Sequence, residues 1–135
     1  MTIQKAGELC REARKRRGLS QAETADLAEH TQSGVCHFEC GKKTVQLGTL
    51  MRIMDAVGLK MKCGTVVANN PGEVYGVIGT AMLKRKWDNK KLSEASGVPF
   101  GTLYAWTQKT IRAANADSVF KALNALKLET DLIEV

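Results

Sequence analysis

Apolar positions recur at helical spacing through most of the chain, in short stretches closed by glycine or opened by a capping residue. Ile3, Leu9, Cys10 and Ala13 trace one stripe, and Gly18 closes that helix after the basic run Arg14-Lys15-Arg16-Arg17. Ser20 with Glu23 three residues on is a capping box, which starts a second helix at Gln21 and carries it to about Ala28. A third begins near the N-cap candidate Thr31 and ends at Gly41. The fourth covers Leu47 to Val57, with Leu50, Ile53, Met54 and Val57 inward, and Gly58 stops it. Leu59 to Val67 alternates as a strand does, and its simplest partner is the same strand of another subunit.

The order then repeats, some 70–75 residues later. Asn69-Asn70-Pro71-Gly72 is a strong turn signal between the halves. Val74 to Arg85 is amphipathic, Asp88 or Asn89 caps a short helix through Ala95, and Ser96-Gly97-Val98-Pro99 turns the chain. Phe100 to Gln108 makes another short helix, and Ala116 to Leu126 a longer one with Val119, Phe120, Leu123 and Leu126 inward. The tail from Leu128 to Val135 reads as a terminal strand. The expected fold class is therefore all-α: two tandem small helical modules, residues 1–68 and 73–135, with a short strand after the first.

Composition narrows the function. Hydrophobic residues at 44% suffice for a buried core, and no apolar run reaches the ~18–20 residues of a membrane span. With no apolar signal segment at the N-terminus and four cysteines that read as reduced thiols, a cytoplasmic location is expected. Lys and Arg exceed Asp and Glu by six, which favours a polyanionic partner if the surplus is clustered. Aromatic residues at 5% argue against an RNA-stacking surface.

A capped helix, a tight turn and a second short helix form the arrangement that places a helix in the DNA major groove. On the helix over residues 31–40, Val35 and Phe38 share one side. Gln32, Ser33, Cys36, His37 and Cys40 share the other, within an arc of roughly 140°. That outer face is polar and almost uncharged, where a merely solvated face would more often carry Lys and Glu. It suits hydrogen bonding to base edges.

These positions resemble a known family. Gly18-Leu19-Ser20-Gln21, Ala25-x-Leu27-Ala28, Thr31-Gln32-Ser33, Phe38-Glu39-x-Gly41-Lys42 and Leu50-x-x-Ile53-Met54-Asp55-Ala56-Val57-Gly58-Leu59 are similar to the Cro/C1-type (XRE) helix-turn-helix family, across residues 5–60. Lambdoid phage repressors and the HipB-like antitoxins belong to it. The resemblance implies a five-helix domain that docks as a homodimer on a pseudo-palindromic double-stranded operator. It implies base contacts from Gln32, Ser33, Cys36 and His37, and phosphate contacts from Gln21, Thr31, Lys42, Lys43 and Thr44. Three residues depart from the pattern: Thr24 stands in place of Leu, Glu29 in place of the turn Gly, and His30 in place of an inward Val. Glu29 is expected to hold a positive φ.

Leu92-x-x-Ala95-Ser96-Gly97-Val98-Pro99-x-x-Thr102-Leu103-x-x-Trp106 follows the same pattern more weakly. Its outward positions offer Phe100, Gly101, Tyr104 and Ala105, poor hydrogen-bonding readers but able to meet thymine methyls, or a phosphate through the Tyr hydroxyl. Lys90 and Lys91 are candidate phosphate contacts beside it. The second half is thus a DNA-binding module or a dimerisation and partner module. No catalytic constellation, metal site or cofactor is assigned. Cys36-His37-x-x-Cys40 lacks further ligands at zinc spacing, and a disulfide within one helical turn is geometrically awkward. The expectation is a dimeric transcriptional regulator, a repressor of its own or a neighbouring promoter. The alternatives are an antitoxin that binds a toxin through residues 70–135, and a tandem architectural protein without sequence preference.

Overall fold

A computed structural model of the chain describes residues 1–108 and 111–135. It is mainly helical, with eight α-helices and a small three-stranded antiparallel sheet among the described residues. None of those helices is long and apolar enough to cross a membrane. The first half contributes α1 (Ile3–Arg16), α2 (Gln21–Leu27), α3 (Gln32–Glu39) and α4 (Leu47–Ala56), then strands β1 (Leu59–Cys63) and β2 (Val66–Ala68). The second half contributes α5 (Pro71–Arg85), α6 (Asn89–Ser96), α7 (Phe100–Gln108), a 3-10 turn at Ile111–Ala113, α8 (Ala116–Ala125) and β3 (Thr130–Glu134).

The helices begin where side chains satisfy their first free N–H groups. Thr2 accepts from the Lys5 N–H (3.1 Å), Ser20 from Glu23 (3.0 Å) and Thr31 from Gly34 (2.9 Å). Glu23 closes the capping box by accepting from the Ser20 N–H (3.0 Å), and these bonds hold its carboxyl below the usual value. The Asn-Asn-Pro-Gly signal starts α5 instead of forming a free turn. Asn70 caps it, and Pro71 occupies the first helical position, where a missing N–H costs nothing.

Two expectations about strands change. The alternating stretch after α4 is a hairpin, broken at Gly64 (φ 62), because Val66 to Ala68 turns back along β1. Its other neighbour is not a second subunit. The chain's own tail supplies it: the sheet order is β2-β1-β3, with Met61 opposite Leu132. The alternation of β1 survives intact, with Leu59, Met61 and Cys63 buried.

One apolar core runs through both halves. Phe38, Leu50 and Met54 from the first half and Phe120, Leu123 and Leu126 from the second are all essentially inaccessible. Burial of each such side chain is worth ~1.5–3 kcal/mol. In the first half, Thr24 is buried with its hydroxyl unpartnered, where the second half buries Leu92.

Candidate nucleic-acid interface

α3 lies against α1 and α2 by its apolar side, and its outer side faces solvent. Val35 and Phe38 are buried, Gln32, Ser33 and Cys40 exposed, and Cys36 and His37 half-buried. The turn after α3 is pinned, since the N–H groups of Lys42 (2.9 Å) and Lys43 (3.4 Å) both donate to the His37 carbonyl. Lys42 and Lys43 are exposed, and among the described residues neither forms an ion pair. A groove of about 540 Å³ runs beside the helix, lined by His30, Ser33, His37, Lys43, Thr44 and Gln46 among others. The structure thus brings together the outer face of α3 and the basic flank that follows it.

A buried ion pair fixes the angle at which α3 is held. Arg14 on α1 donates through Nε (2.7 Å) and Nη2 (3.0 Å) to the two carboxylate oxygens of Glu39 on α3, and through Nη1 to the Leu19 carbonyl (2.8 Å). Gln21 on α2 donates to the same carboxylate (3.1 Å). The hydrogen bonds to Glu39 raise the Arg14 pKa further. A fork-to-fork Arg–carboxylate contact is directional, so three helices share one hydrogen-bonded centre. Gln21 uses one of its two N–H groups there, which leaves the other available to a further acceptor. Thr31 likewise accepts from Gly34 through its hydroxyl oxygen and keeps the O–H proton.

Two features escaped the sequence reading. Arg14 belongs to a basic run, yet it is a core residue, and Arg16 from the same run pairs with Glu134 of β3. The run therefore offers fewer free cations than its composition suggests. Gly7 also matters: a Cβ there would collide with the Phe38 carbonyl, so glycine is what lets α1 approach α3 closely. The signal available was only a glycine on the buried stripe of a helix.

Thr44 is exposed but already engaged: its hydroxyl donates to the side-chain Oδ1 of Asn115 in the second half (2.9 Å). Glu29 holds φ 53, as its place in the turn demands. His30 does not pack inward. It is half-buried at the groove wall, crowding Gly34 so closely that a Cβ there would meet the ring.

The second half places its counterparts on an equivalent outer face. Leu103 and Trp106 are buried, while Phe100, Gly101 and Tyr104 are exposed. The Phe100 and Tyr104 rings stack at 6.4 Å and 15°. Lys90 and Lys91 are exposed, and Lys91 lies 5.9 Å over Trp87, which Arg85 also covers at 5.3 Å. Trp87 is therefore a half-buried platform for cations, whereas Trp106 is core. A groove of about 360 Å³ lies beside α7, between Gly101 and Ala105 on one side and Ala114 and Asn115 on the other.

The cysteines divide by burial. Cys10 and Cys63 are buried; burial pushes the Cys63 thiol up to about 11, and burial aided by the Glu39 charge pushes Cys10 up to about 12. Cys36 and Cys40 lie nearer the surface on α3 and the turn that follows it. Among the described residues, no three His, Cys, Asp or Glu side chains gather as a metal site would need. Comparison with protein-family models finds no match, and neither the curated proteins nor the solved structures give one.

Proposed function

We propose that the chain is a sequence-specific double-stranded-DNA-binding transcriptional regulator, built from tandem helix-turn-helix modules of Cro/C1 type and acting as a repressor of its own or a neighbouring promoter. The observation that carries this reading is the outer face of α3. It is polar and nearly uncharged, the Arg14–Glu39 pair ties its helix to α1, and it is bordered by Lys42 and Lys43, which form no ion pair among the described residues. Cations that neutralise phosphates supply salt-dependent affinity, and hydrogen-bonding side chains between them supply discrimination. Gln32, Ser33 and His37 are assigned to base edges, with Cys36 beside them. Lys42, Lys43, Gln21 and Thr31 are assigned to phosphates. On this reading the protein works in the cytoplasm and is not an enzyme.

Selection of bound duplexes from a random pool tests it. A defined sequence is expected to be enriched over successive rounds. A pool that stays random while binding persists would contradict sequence specificity and favour an architectural role.

A further inference from the structure

The two halves repeat helix for helix, at a spacing that widens from 68 to 71 positions along the chain, and they meet through equivalent positions. Helix caps recur at a spacing of 68 positions: Thr2 and Asn70 open α1 and α5, and Ser20 and Asp88 open α2 and α6. Left-handed backbone recurs with them, at Gly18 and Lys86, at Glu29 and Gly97, and, 69 apart, at Gly58 and Lys127. The buried side chains follow the same spacing, with Val35 matched by Leu103 and Phe38 by Trp106.

The contacts between the halves are reciprocal. Gln46 bridges Asn115, its own equivalent. The Leu47 N–H donates to the Ala114 carbonyl (2.7 Å), and the Ala116 N–H donates to Val45 (2.8 Å). In the sheet, where two further residues after Lys127 bring the spacing to 71, Gly64 donates to Glu129 (2.7 Å) and Val135 to Gly58 (3.3 Å), a swapped pair centred on Met61 and Leu132. α1 packs on α8 as α5 packs on α4. An antiparallel pairing of equivalent residues has a local twofold axis between them, which is the geometry of an isologous dimer. The grooves beside α3 and α7 flank the Gln46–Asn115 bridge, with Gln46 and Asn115 each lining its own groove.

We propose that this chain is a covalent pseudo-dimer that binds DNA one chain per site, with α7 as a second base-reading helix and a site made of two unlike halves. This rests on the DNA-binding reading above. The pseudo-twofold relates α3 to α7 as a dimer axis relates the recognition helices of two subunits, so one chain carries both helices. Their outer faces differ in chemistry. Gln32 and Ser33 offer hydrogen bonds, whereas the equivalent Phe100 and Gly101 offer a ring edge and no side chain, with Tyr104 stacked behind Phe100. An apolar face of that kind selects thymine methyls, so the α7 half of the site is T-rich.

The test uses the full chain and the duplexes recovered from a random pool, with stoichiometry measured by sedimentation. One chain per duplex is expected, on a non-palindromic site whose two blocks lie about one helical turn (~10 base pairs) apart. Phe100→Ala is expected to weaken binding about tenfold and to relax selection in the T-rich block alone, while Gln32→Ala relaxes the other block. Both residues are exposed, so neither change threatens the fold. Two chains on a palindrome, or Phe100→Ala without effect on either block, would overturn the proposal and leave the DNA reading standing. Loss of specificity for every duplex would overturn both.

Discussion

Glu29 and Gly97 hold the same left-handed backbone, at φ 53 and φ 78, at equivalent turns 68 positions apart. Each sets the angle between a capped helix and the helix that follows it. Only one of the two residues is suited to the conformation, since a Cβ at positive φ crowds the backbone. Glu29→Gly is expected to raise stability by about 0.5–1 kcal/mol. Gly97→Ala is expected to lower it by about 1 kcal/mol, through backbone strain alone because open space surrounds that position. Urea midpoints of the two variants check the pair, and opposite signs are required.

The Arg14–Glu39 pair makes a second measurable contribution to stability. Glu39→Ala removes the partner of a buried guanidinium and of Gln21 at once, and is expected to cost about 3–5 kcal/mol. Replacing both Arg14 and Glu39 by Met leaves no buried charge and is expected to cost less than Glu39→Ala alone. Thermal unfolding of the single and double variants decides this. A double variant less stable than either single one would contradict the burial account.

The buried thiols give the protein an alkaline limit. Cys10 in the folded state titrates near 12, against an ordinary value of 9.0. Between those values the folded chain keeps a proton that the unfolded chain releases, so stability falls as pH rises through that window. Cys10→Ala is expected to be less stable at neutral pH but to lose less stability between pH 8 and 10.5 than the unaltered chain. Native alkylation is expected to modify Cys40 well before Cys10 and Cys63, a pattern mass spectrometry reads directly.

On the proposed DNA-binding reading, Lys42 adds affinity without adding choice. Lys42→Ala is expected to weaken binding to selected and random duplexes alike, and to reduce the slope of log affinity against log salt by about one unit. Titrations at several salt concentrations measure both quantities. An unchanged slope would remove Lys42 from the phosphate contacts.

Much of this arrangement is legible in the residue order. Each of the helices is placed by the residue order, Ser20, Thr31 and Asp88 announce their caps, and the outer face of α3 follows from its wheel because its apolar residues Val35 and Phe38 need burial. What the order conceals is long-range. The hairpin at Gly64 hides within one alternating run, since a strand and its return share a period of two. The tail strand shows itself, but its partner 71 positions earlier does not. Arg14 looks like one more exposed cation until Glu39, 25 positions on, is seen to fold onto it. The repeat is visible as a loose spacing of 70–75, and only the shared φ angles and caps sharpen it to 68 and 69.

Sequence discrimination by α3 is most directly tested by measuring the affinity of Gln32→Ala for the selected duplex and for a scrambled duplex side by side. Gln32 is exposed at the start of α3, so its loss leaves the fold in place. Affinity for the selected duplex is expected to fall by about 1–3 kcal/mol, with little change on the scrambled one. Equal losses on both duplexes, or none on either, would contradict the assignment of α3 to base reading.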